Sequence, residues 1–262
     1  VYNVLITGSS GFIGRNLTEF LLRETKYNIV SMHRAYTANQ PNSSGKRLRV
    51  VCHDLKNPIS KSVSAEIGEI HYIVHLAGMN GVYSIPSEIE KFISNNVLAT
   101  ANLMEYARHN NRCVRKILYL STAEVFGPAE PGHIFDEDDD KNPASLYANT
   151  KMNAESFCML YEKSFSVPSI TAYAMNTFGA YQQSNKFVPL LVEKIMKGEE
   201  VCVYMDQNGA TPNRRNYLHI DDLCDAMLFL LHHGTPGQRY NIASEEESNN
   251  LNFTRNNPTS YE

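Results

Sequence analysis

Val1-Tyr-Asn-Val-Leu-Ile-Thr-Gly-Ser-Ser-Gly-Phe-Ile-Gly14 opens the chain with an apolar run, a glycine-rich turn and the start of a periodic pattern. Val1–Thr7 predicts a buried strand, and the apolar residues from Phe12 to Leu21 recur at helical spacing. A glycine-rich turn between a strand and a helix lets backbone N–H groups approach a pyrophosphate at the helix N-terminus. The stretch therefore predicts a dinucleotide-binding site.

Strand and helix patterns alternate through most of the remaining chain. We predict further strands at Asn28–Met32, Leu48–Cys52, His71–Leu76, Lys116–Leu120 and Pro168–Ala174, and helices at Ile89–Asn110 and from Tyr147 to Phe165. This alternation is typical of an α/β fold with a Rossmann-type, doubly wound parallel sheet. Ligands in such sheets bind at the carboxyl ends of the strands.

The pattern changes after residue 175. We assign residues 1–175 to an NAD(P)-binding Rossmann domain and residues 176–250, with their shorter elements, to a small substrate-binding region. The helix Asp221–His233 and the strand Tyr240–Ile242 fall in this second region. Residues 251–262 are polar and Asn-rich, so we expect a disordered tail.

Composition restricts the class of protein. The 262 residues are 42% hydrophobic and 20% charged, with a net charge of −4. This mild acidity argues against nucleic acid and anionic membranes as partners, and no apolar run reaches the roughly 20 residues of a membrane span. The strand-like start shows no signal peptide. Five scattered cysteines form no metal site or disulfide framework, so we expect no metal and a cytoplasmic location.

Tyr147-Ala-Asn-Thr-Lys151 carries the predicted chemistry. A tyrosine and a lysine four residues apart share one helix face. The ammonium favours the phenolate, so we predict that the pKa of Tyr147 falls towards neutral, which makes it a general base for a sugar or alcohol hydroxyl. The alternative is a helix-surface pair. The upstream nucleotide site and the hydroxyls of Ser121 and Thr122 at a strand end favour the catalytic interpretation.

The type of cofactor stays open at the second strand. An acidic residue there would bind the adenosine ribose and favour NAD, but the run reads Ser31-Met-His-Arg34. Arg34 either meets a 2′-phosphate, which favours NADP, or is a solvated arginine. Asp54, after the third strand, either accepts from the adenine amino group or caps the next helix. The small residues Ala77 and Gly78 let the backbone pass close to a cofactor.

These motifs, together with Asn96 and Asn176-Thr-Phe-Gly179, resemble the extended short-chain dehydrogenase/reductases, in particular the NAD(P)-dependent nucleotide-sugar epimerase/dehydratase family. The resemblance implies bound NAD or NADP, a nucleoside-diphosphate sugar and a homodimer built on four helices. It implies that Tyr147 is the base, Lys151 its ribose-bound activator and Thr122 a hydroxyl-positioning residue. The expected cofactor contacts are Gly8, Ser10, Gly11, Phe12, Ile13, Gly14, Arg34, Asp54, Leu55, Leu76, Ala77, Gly78, Asn96, Ser121, Tyr147 and Lys151. The expected substrate contacts are Thr122, Ala123, Glu124, Asn176, Lys186 and Arg215.

Lys186 and Arg215 suit a diphosphate, although surface salt bridges would explain either one equally well. Ser121-Thr-Ala-Glu-Val-Phe-Gly127 is similar to the Ser-Thr-Asp-Glu-Val-Tyr-Gly signature of the dTDP-glucose 4,6-dehydratase subfamily. This similarity implies that Glu124 removes a C5 proton and that water leaves from C6. Ala123 departs from the signature, and Ala77-Gly78 looks more like a 4-epimerase. A 4-epimerase, a nucleotide-glucuronate decarboxylase and a cofactor-binding protein with little catalysis are the alternatives.

Overall fold

A seven-stranded parallel sheet organises the protein, with strand order β3-β2-β1-β4-β5-β6-β9. The computed structural model describes residues 1–34, 45–81, 86–110, 112–129, 133–200, 214–245 and 247–249. The predicted tail, residues 251–262, lies outside them. The Rossmann-type α/β fold expected from the sequence is confirmed.

The strands and helices follow the predicted order. The strands are β1 (Asn3–Thr7), β2 (Asn28–His33), β3 (Leu48–Cys52), β4 (Tyr72–His75), β5 (Lys116–Thr122), β6 (Ser169–Ala174), β7 (Asn176–Phe178), β8 (Arg214–His219), β9 (Arg239–Ile242) and β10 (Glu247–Asn249). The α-helices are α1 (Phe12–Glu24), α2 (Lys61–Ile67), α3 (Ile89–Phe92), α4 (Ala99–Asn110), α5 (Leu146–Phe165), α6 (Phe187–Lys197) and α7 (Ile220–His233). Within the described ranges, none of them is both long and apolar enough for a bilayer crossing.

Both faces of the large sheet are covered. Successive side chains of a strand point to opposite faces, so Val4 and Ile6 join a core with α1 and α7, whereas Leu5 joins a core with α2, α4 and α5. All three side chains are fully buried. Burial on both sides explains why the strands are apolar throughout rather than alternating.

The part of the chain after residue 175 divides differently from the prediction. β9 pairs in parallel with β6 and extends the large sheet, and α7 buries Leu223 and Met227 against it. Residues 220–242 therefore extend the Rossmann unit, because α7 buries an apolar face against the sheet and β9 pairs with its edge strand β6. A second sheet, β10-β8-β7, is built from the remaining strands. The sequence analysis did not predict β7 or β10.

The predicted helix Ile89–Asn110 is interrupted. A 3₁₀ turn (Pro86–Glu88) leads into α3, and a π-helical turn (Ile93–Leu98) separates α3 from α4. In this turn the N–H of Ala99 donates to the carbonyl of Ser94, five residues earlier.

 The i→i−5 bond of Ala99 widens the helix locally, and such turns are frequent at functional sites. It places Asn95 and Asn96 beside the carboxyl ends of the strands.

Candidate active site

The glycine turn is built as the sequence predicts. Gly8 adopts a left-handed φ of +70° and donates its N–H to the carbonyl of Met32, at 2.9 Å. A Cβ on Gly8 would lie 2.7 Å from the backbone nitrogen of Ala77, and a Cβ on Gly14 would lie 2.4 Å from the carbonyl oxygen of Gly8. Only glycine at these two positions lets the turn sit between the end of β4 and the start of α1.

A cleft opens at this turn, along the carboxyl ends of β1 to β4. It is lined by the predicted residues Gly8, Ser10, Gly11, Arg34, Asp54, Leu55, Leu76, Ala77 and Gly78, and by Met32, His33, His53, Asn95 and Ala99, which the sequence analysis missed. Seven predicted cofactor contacts do not line it. Phe12 and Ile13, the first residues of α1, pack against the core, and Gly14 is buried under the turn. The other four, Asn96, Ser121, Tyr147 and Lys151, lie on the π turn, β5 and α5. The structure thus brings nine of the predicted cofactor contacts together in one cleft.

Two charged residues line the cleft, and the structure excludes one of the alternatives for Asp54: it does not cap the next helix, because the N-cap of α2 is Ser60. The Arg34 guanidinium is exposed and donates to the Asn95 side-chain carbonyl, at 3.2 Å. Asp54 lines the cleft, and it also accepts from the backbone N–H of Lys56, at 3.1 Å. Its carboxylate thus closes its own turn and lines the cleft at the same time.

Asn96 has a different position from the predicted cofactor contact. It is buried, its carbonyl accepts from the N–H of Met79 at 2.6 Å, and its amide donates to the carbonyl of Met79 at 3.0 Å. The same amide donates to the Thr150 hydroxyl, at 2.9 Å. These bonds fasten the loop after β4 to α5, so Asn96 supports the cleft from behind.

A buried chain of hydrogen bonds runs beneath the cleft. Thr7 Oγ1 and His75 Nδ1 lie 2.7 Å apart, and His75 Nε2 lies 2.9 Å from Thr100 Oγ1. Because the Thr100 hydroxyl donates to the carbonyl of Asn96, it accepts from His75 Nε2–H, and Thr7 donates to Nδ1. Burial, with the nearby Lys151 charge, lowers the pKa of His75 to about 3, so the imidazole is neutral.

Tyr147 lies at the carboxyl end of β5, where its hydroxyl hydrogen-bonds the side chain of Thr122. The pKa of Tyr147 is raised, first by burial of the hydroxyl and then by the Glu124 carboxylate, while the Thr122 hydrogen bond opposes both. The prediction that Lys151 brings this pKa towards neutral is therefore wrong for this arrangement. The two side chains share a helix, but desolvation of the phenol outweighs any help from the lysine.

The Lys151 ammonium points to the sheet. It is buried, donates to the carbonyl of Leu120 at 2.6 Å and lies 4.2 Å from the centre of the Tyr119 ring. Burial lowers the pKa of Lys151 to about 8, against the opposing effects of Cys158 and Glu155. The lysine therefore remains mostly protonated at neutral pH. A buried cation lowers the stability of the fold, and this one lies on the same helix as the proposed base.

The residues after Thr122 form the other side of the site. Ala123–Phe126 is a 3₁₀ turn, and Thr122 Oγ1 accepts from the N–H of Glu124 at 3.3 Å. Glu124 keeps contact with solvent, yet the surrounding protein removes enough water to raise the pKa of its carboxyl group, against the charges of Arg215 and Lys186. These two basic residues, 29 positions apart in the chain, thus act on the same carboxylate.

The last two predicted substrate contacts complete this edge. Ala123 is half-buried on the 3₁₀ turn, next to Glu124. Asn176 is exposed and begins β7, directly after the carboxyl end of β6. Both lie at the strand ends expected from the sequence.

The residues present fit a dinucleotide. Ser121 Oγ is buried and has no hydrogen-bond partner among the described residues, although it lies beside Thr122 at the end of β5. From Gly8 to Gly11 the turn carries only glycine and serine, so no large side chain covers its backbone where it lines the cleft. A buried polar atom without a partner is costly in a protein alone, and a polar ligand supplies the missing bond.

Comparison with known proteins, like the geometry, indicates a protein that uses a dinucleotide. A model of the NAD dependent epimerase/dehydratase family matches residues 4–243. The dTDP-glucose 4,6-dehydratase of Mycolicibacterium smegmatis is 30% identical over 259 residues, which cover 96% of this chain and 75% of that protein.

Solved structures show the same likeness. The dTDP-glucose 4,6-dehydratase of Bacillus anthracis, in complex with NAD, superposes with a TM-score of 0.85 at 26% identity, over 97% of this chain and 79% of that one. The UDP-glucuronic acid 4-epimerase of Bacillus cereus, in complex with UDP-glucuronic acid and NAD, has a TM-score of 0.84 at 24% identity, over 95% of this chain and 80% of that one. This second likeness shows the fold alone.

Proposed function

The chain belongs to the NAD-dependent epimerase/dehydratase family, and from that premise we propose that it removes water from a nucleoside-diphosphate glucose by transient oxidation at C4. The observation that carries the proposal is the meeting of Tyr147, Thr122 and Glu124 at the end of β5, beside the dinucleotide cleft. The product would be a 4-keto-6-deoxy sugar. The 30% identity to the mycobacterial dehydratase supports this choice.

We assign the cofactor to the cleft at the glycine turn. Gly8, Ser10 and Gly11 would hold the pyrophosphate, and Asp54 and Arg34 face the place of the adenosine. NAD, when bound, supplies a hydride acceptor that later returns the hydride. The family is NAD-dependent. Arg34, with no acidic residue before it in β2, would also accommodate the 2′-phosphate of NADP.

Tyr147 would take the proton from the sugar 4-hydroxyl, which Thr122 orients through its own hydrogen bond. The raised pKa of Tyr147 shows that the protein by itself disfavours the phenolate. A nearby cation is needed to offset this effect, and Lys151 is the cation on the same helix face. In this structure the Lys151 ammonium is held by the carbonyl of Leu120, so we expect it to act on Tyr147 only after it turns towards the bound cofactor.

Glu124 would take the C5 proton once C4 is a ketone, since that proton is then acidic, and water would leave from C6. A carboxyl group with a raised pKa is a stronger base than an exposed one. Lys186 and Arg215 would bind the diphosphate. Both cations are close enough to the site to act on the Glu124 carboxylate, and such cations bind phosphate groups strongly.

A 4-epimerase is the second candidate. Elimination of water is faster when a general acid protonates the leaving hydroxyl, and Ala123 provides none. Within the part of the chain that the structure describes, Glu124 is the carboxylate that raises the pKa of Tyr147. Loss of a positioned acid typically costs about 10²–10⁴ in rate. Without this acid, C4 could be oxidised and reduced again before water leaves, and the outcome would be epimerisation.

Product analysis separates these candidates. The protein is incubated separately with dTDP-glucose, UDP-glucose and UDP-glucuronate in the presence of NAD, and the sugar nucleotide is analysed by mass spectrometry and chromatography. Loss of one water supports the dehydratase. An unchanged mass with a new retention time would establish the epimerase instead. An unchanged substrate, with NAD demonstrably bound, would contradict both and favour a cofactor-binding protein; UDP-glucuronate that loses carbon dioxide would indicate the decarboxylase.

We further propose that the protein is a homodimer. Apolar side chains are exposed on the π turn and on α5: Ile93 by 48%, Leu98 by 44% and Leu160 by 49%. The π turn and α5 pack against each other, so these exposed apolar side chains lie on neighbouring elements, as at an interaction surface. Light scattering should give the mass of a dimer, and Leu160→Glu should give a monomer; a wild-type monomer at micromolar concentration would contradict the proposal.

We place the protein in the cytoplasm because its described cysteines are free thiols. Cys158 and Cys224 are buried, and Cys113 is exposed without forming a disulfide. Such thiols persist in a reducing compartment. Cell fractionation followed by immunoblotting tests the location, and recovery from an oxidising extracellular fraction would contradict it.

A further inference from the structure

The loop Gly179–Gln182, which joins β7 to α6, is fastened to the helix that begins at the glycine turn. We propose that Asn16 is a positioning residue for the nucleotide-sugar site: it holds this loop, and Lys186 beyond it, onto α1. The inference rests on the proposed function, because Lys186 is taken to bind the diphosphate of the substrate. It makes one side chain of the cofactor-binding helix responsible for the geometry of the substrate side.

The Asn16 side chain bridges the two segments. Its amide nitrogen donates to the carbonyl of Phe12 in α1 and to the carbonyl of Ala180 in the loop, at 2.8 Å each. Only 9% of Asn16 is exposed. An amide has two N–H groups, so both donors of Asn16 are used. Asn16 and Ala180 are separated by 164 positions in the chain.

The neighbouring residue adds a second contact. The guanidinium carbon of Arg15 lies 3.5 Å from the centre of the Tyr181 ring. Tyr181 has a left-handed φ of +66°, which is strained for a residue with a Cβ. Such strain persists where surrounding contacts over-determine the backbone. Here Asn16 binds the carbonyl of the preceding residue, and Arg15 contacts the Tyr181 ring itself.

The other end of the loop is also packed closely. A Cβ on Gly179 would lie 2.3 Å from Ile220 Cγ2 at the start of α7. The Gln182 side chain donates to the carbonyl of Thr177, at 2.8 Å. The loop is thus held between α1 and α7, and the bond from Asn16 is its polar link to α1.

Lys186 follows this loop and is the N-cap residue of α6. Its N–H donates to the carbonyl of Gln183, at 3.0 Å, which continues the loop directly into the helix. The Lys186 charge acts on Glu124. A loop released from α1 would therefore change the position of this charge, while the glycine turn at the beginning of α1 would stay in place.

Asn16→Ala tests the inference by calorimetry. We measure binding of dTDP and UDP, each with NAD present, and binding of NAD alone, in the full chain. The variant should bind the preferred nucleoside diphosphate about tenfold more weakly, since Ala180 loses its donor, and NAD within about twofold of wild type. In turnover, KM should rise while kcat stays close to wild type.

Asn153→Ala is the matched control. Asn153 also donates to a helix carbonyl four residues earlier, that of Asn149 at 2.8 Å, but it is exposed and reaches no other segment. It should change neither affinity. Tyr181→Gly is a second test that does not depend on Asn16→Ala folding well: it removes the Arg15 contact without backbone strain and should also weaken the diphosphate selectively.

Three outcomes would overturn the inference. Equal diphosphate affinity in Asn16→Ala and wild type would overturn this inference and leave the proposed function intact. A parallel loss of diphosphate and NAD affinity in Asn16→Ala would show that Asn16 supports α1 as a whole. If Asn16→Ala does not fold, the same parallel loss in Tyr181→Gly would overturn the inference. Failure of wild type to bind either dTDP or UDP would overturn the proposed function together with this inference.

Discussion

The two ends of the large sheet are built from different kinds of residue. At the amino ends of the strands, the rings of Tyr2, Tyr27 and Tyr72 pack with centroids 5.2 to 6.2 Å apart, and Arg115 lies 4.8 Å above Tyr2. At the carboxyl ends, glycines replace large side chains, and the buried cation of Lys151 lies beneath the site.

Hydrogen bonding differs in the same way. At the amino ends, the Tyr27 hydroxyl and His232 Nε2 lie 2.5 Å apart, and the N–H of Asn3 donates to His71 Nδ1 at 3.1 Å. At the carboxyl ends, the buried Ser121 Oγ has no partner among the described residues. We infer that the amino ends contribute stability, whereas the carboxyl ends give up stability for the sake of ligand binding.

The largest expected effect separates the two ends by one identical change, Tyr→Phe. Tyr147→Phe should lower kcat by about 10³ or more, because it removes the proposed base, and should leave NAD binding and the melting temperature close to wild type. Tyr27→Phe should keep kcat and lower the free energy of unfolding by about 1 kcal/mol. Steady-state kinetics and urea unfolding measure both; normal turnover in Tyr147→Phe would end its assignment as the base.

The next effect concerns packing at the amino ends. Tyr72 is 6% exposed and contacts both Tyr2 and Tyr27. Tyr72→Ala should therefore lower the free energy of unfolding by about 3 kcal/mol, while kcat per folded molecule is unchanged. A loss of kcat at a temperature where the variant is folded would show that this end also serves the site.

Replacement of the buried cation should have the opposite effect on stability. Lys151→Met should raise the free energy of unfolding by about 1 kcal/mol, since it removes a buried charge, and should greatly reduce turnover. Lys116→Met is the control, because Lys116 is also buried and donates to a carbonyl, that of Leu230, but lies at the amino end of β5. A Lys151→Met variant that is both less stable and fully active would contradict the comparison.

The effect that is smallest at neutral pH, and that grows as the pH falls, is a dependence of stability on pH. The pKa of His75 falls from 6.5 to about 3 on folding, because the ring is buried. The unfolded chain therefore takes up this proton first, so the stabilisation is complete above pH 6.5 and is lost as the pH falls towards 3, by at most about 1.4 kcal/mol per pH unit.

Urea unfolding across this range in wild type and His75→Asn measures the slope, which the variant should flatten although it is less stable overall. His232→Asn at the other end should flatten the slope less: burial lowers the pKa of His232 as well, but this side chain is exposed, whereas His75 is fully enclosed. An unchanged slope in His75→Asn would assign the acid sensitivity to other groups.

Much of the fold and part of the site could be predicted because their signals are local. The glycine turn, the strand ends at Ala77 and Ser121, and the pair Tyr147 and Lys151 each lie within a few residues of the pattern that identifies them. Their convergence follows from the rule that ligands bind at the carboxyl ends of parallel strands.

The remaining features depend on tertiary packing. The bond from Asn16 to Ala180 joins residues 164 positions apart, and no periodicity in either segment indicates it. The raised pKa of Tyr147 depends on burial and on Glu124, which lies on another element. The placement of β9 in the large sheet depends on its pairing with β6, whereas its sequence is only a short strand pattern.

The most direct test of the central claim follows the hydrogen at C4. The protein is incubated with NAD and dTDP-glucose that carries deuterium at C4, and the product is analysed by mass spectrometry and NMR. The account predicts a product that has lost one water and retains the deuterium, now at C6, because the hydride removed from C4 returns to the same molecule. Deuterium that remains at C4 in a dehydrated product, or that is lost to solvent, would contradict transient oxidation at C4.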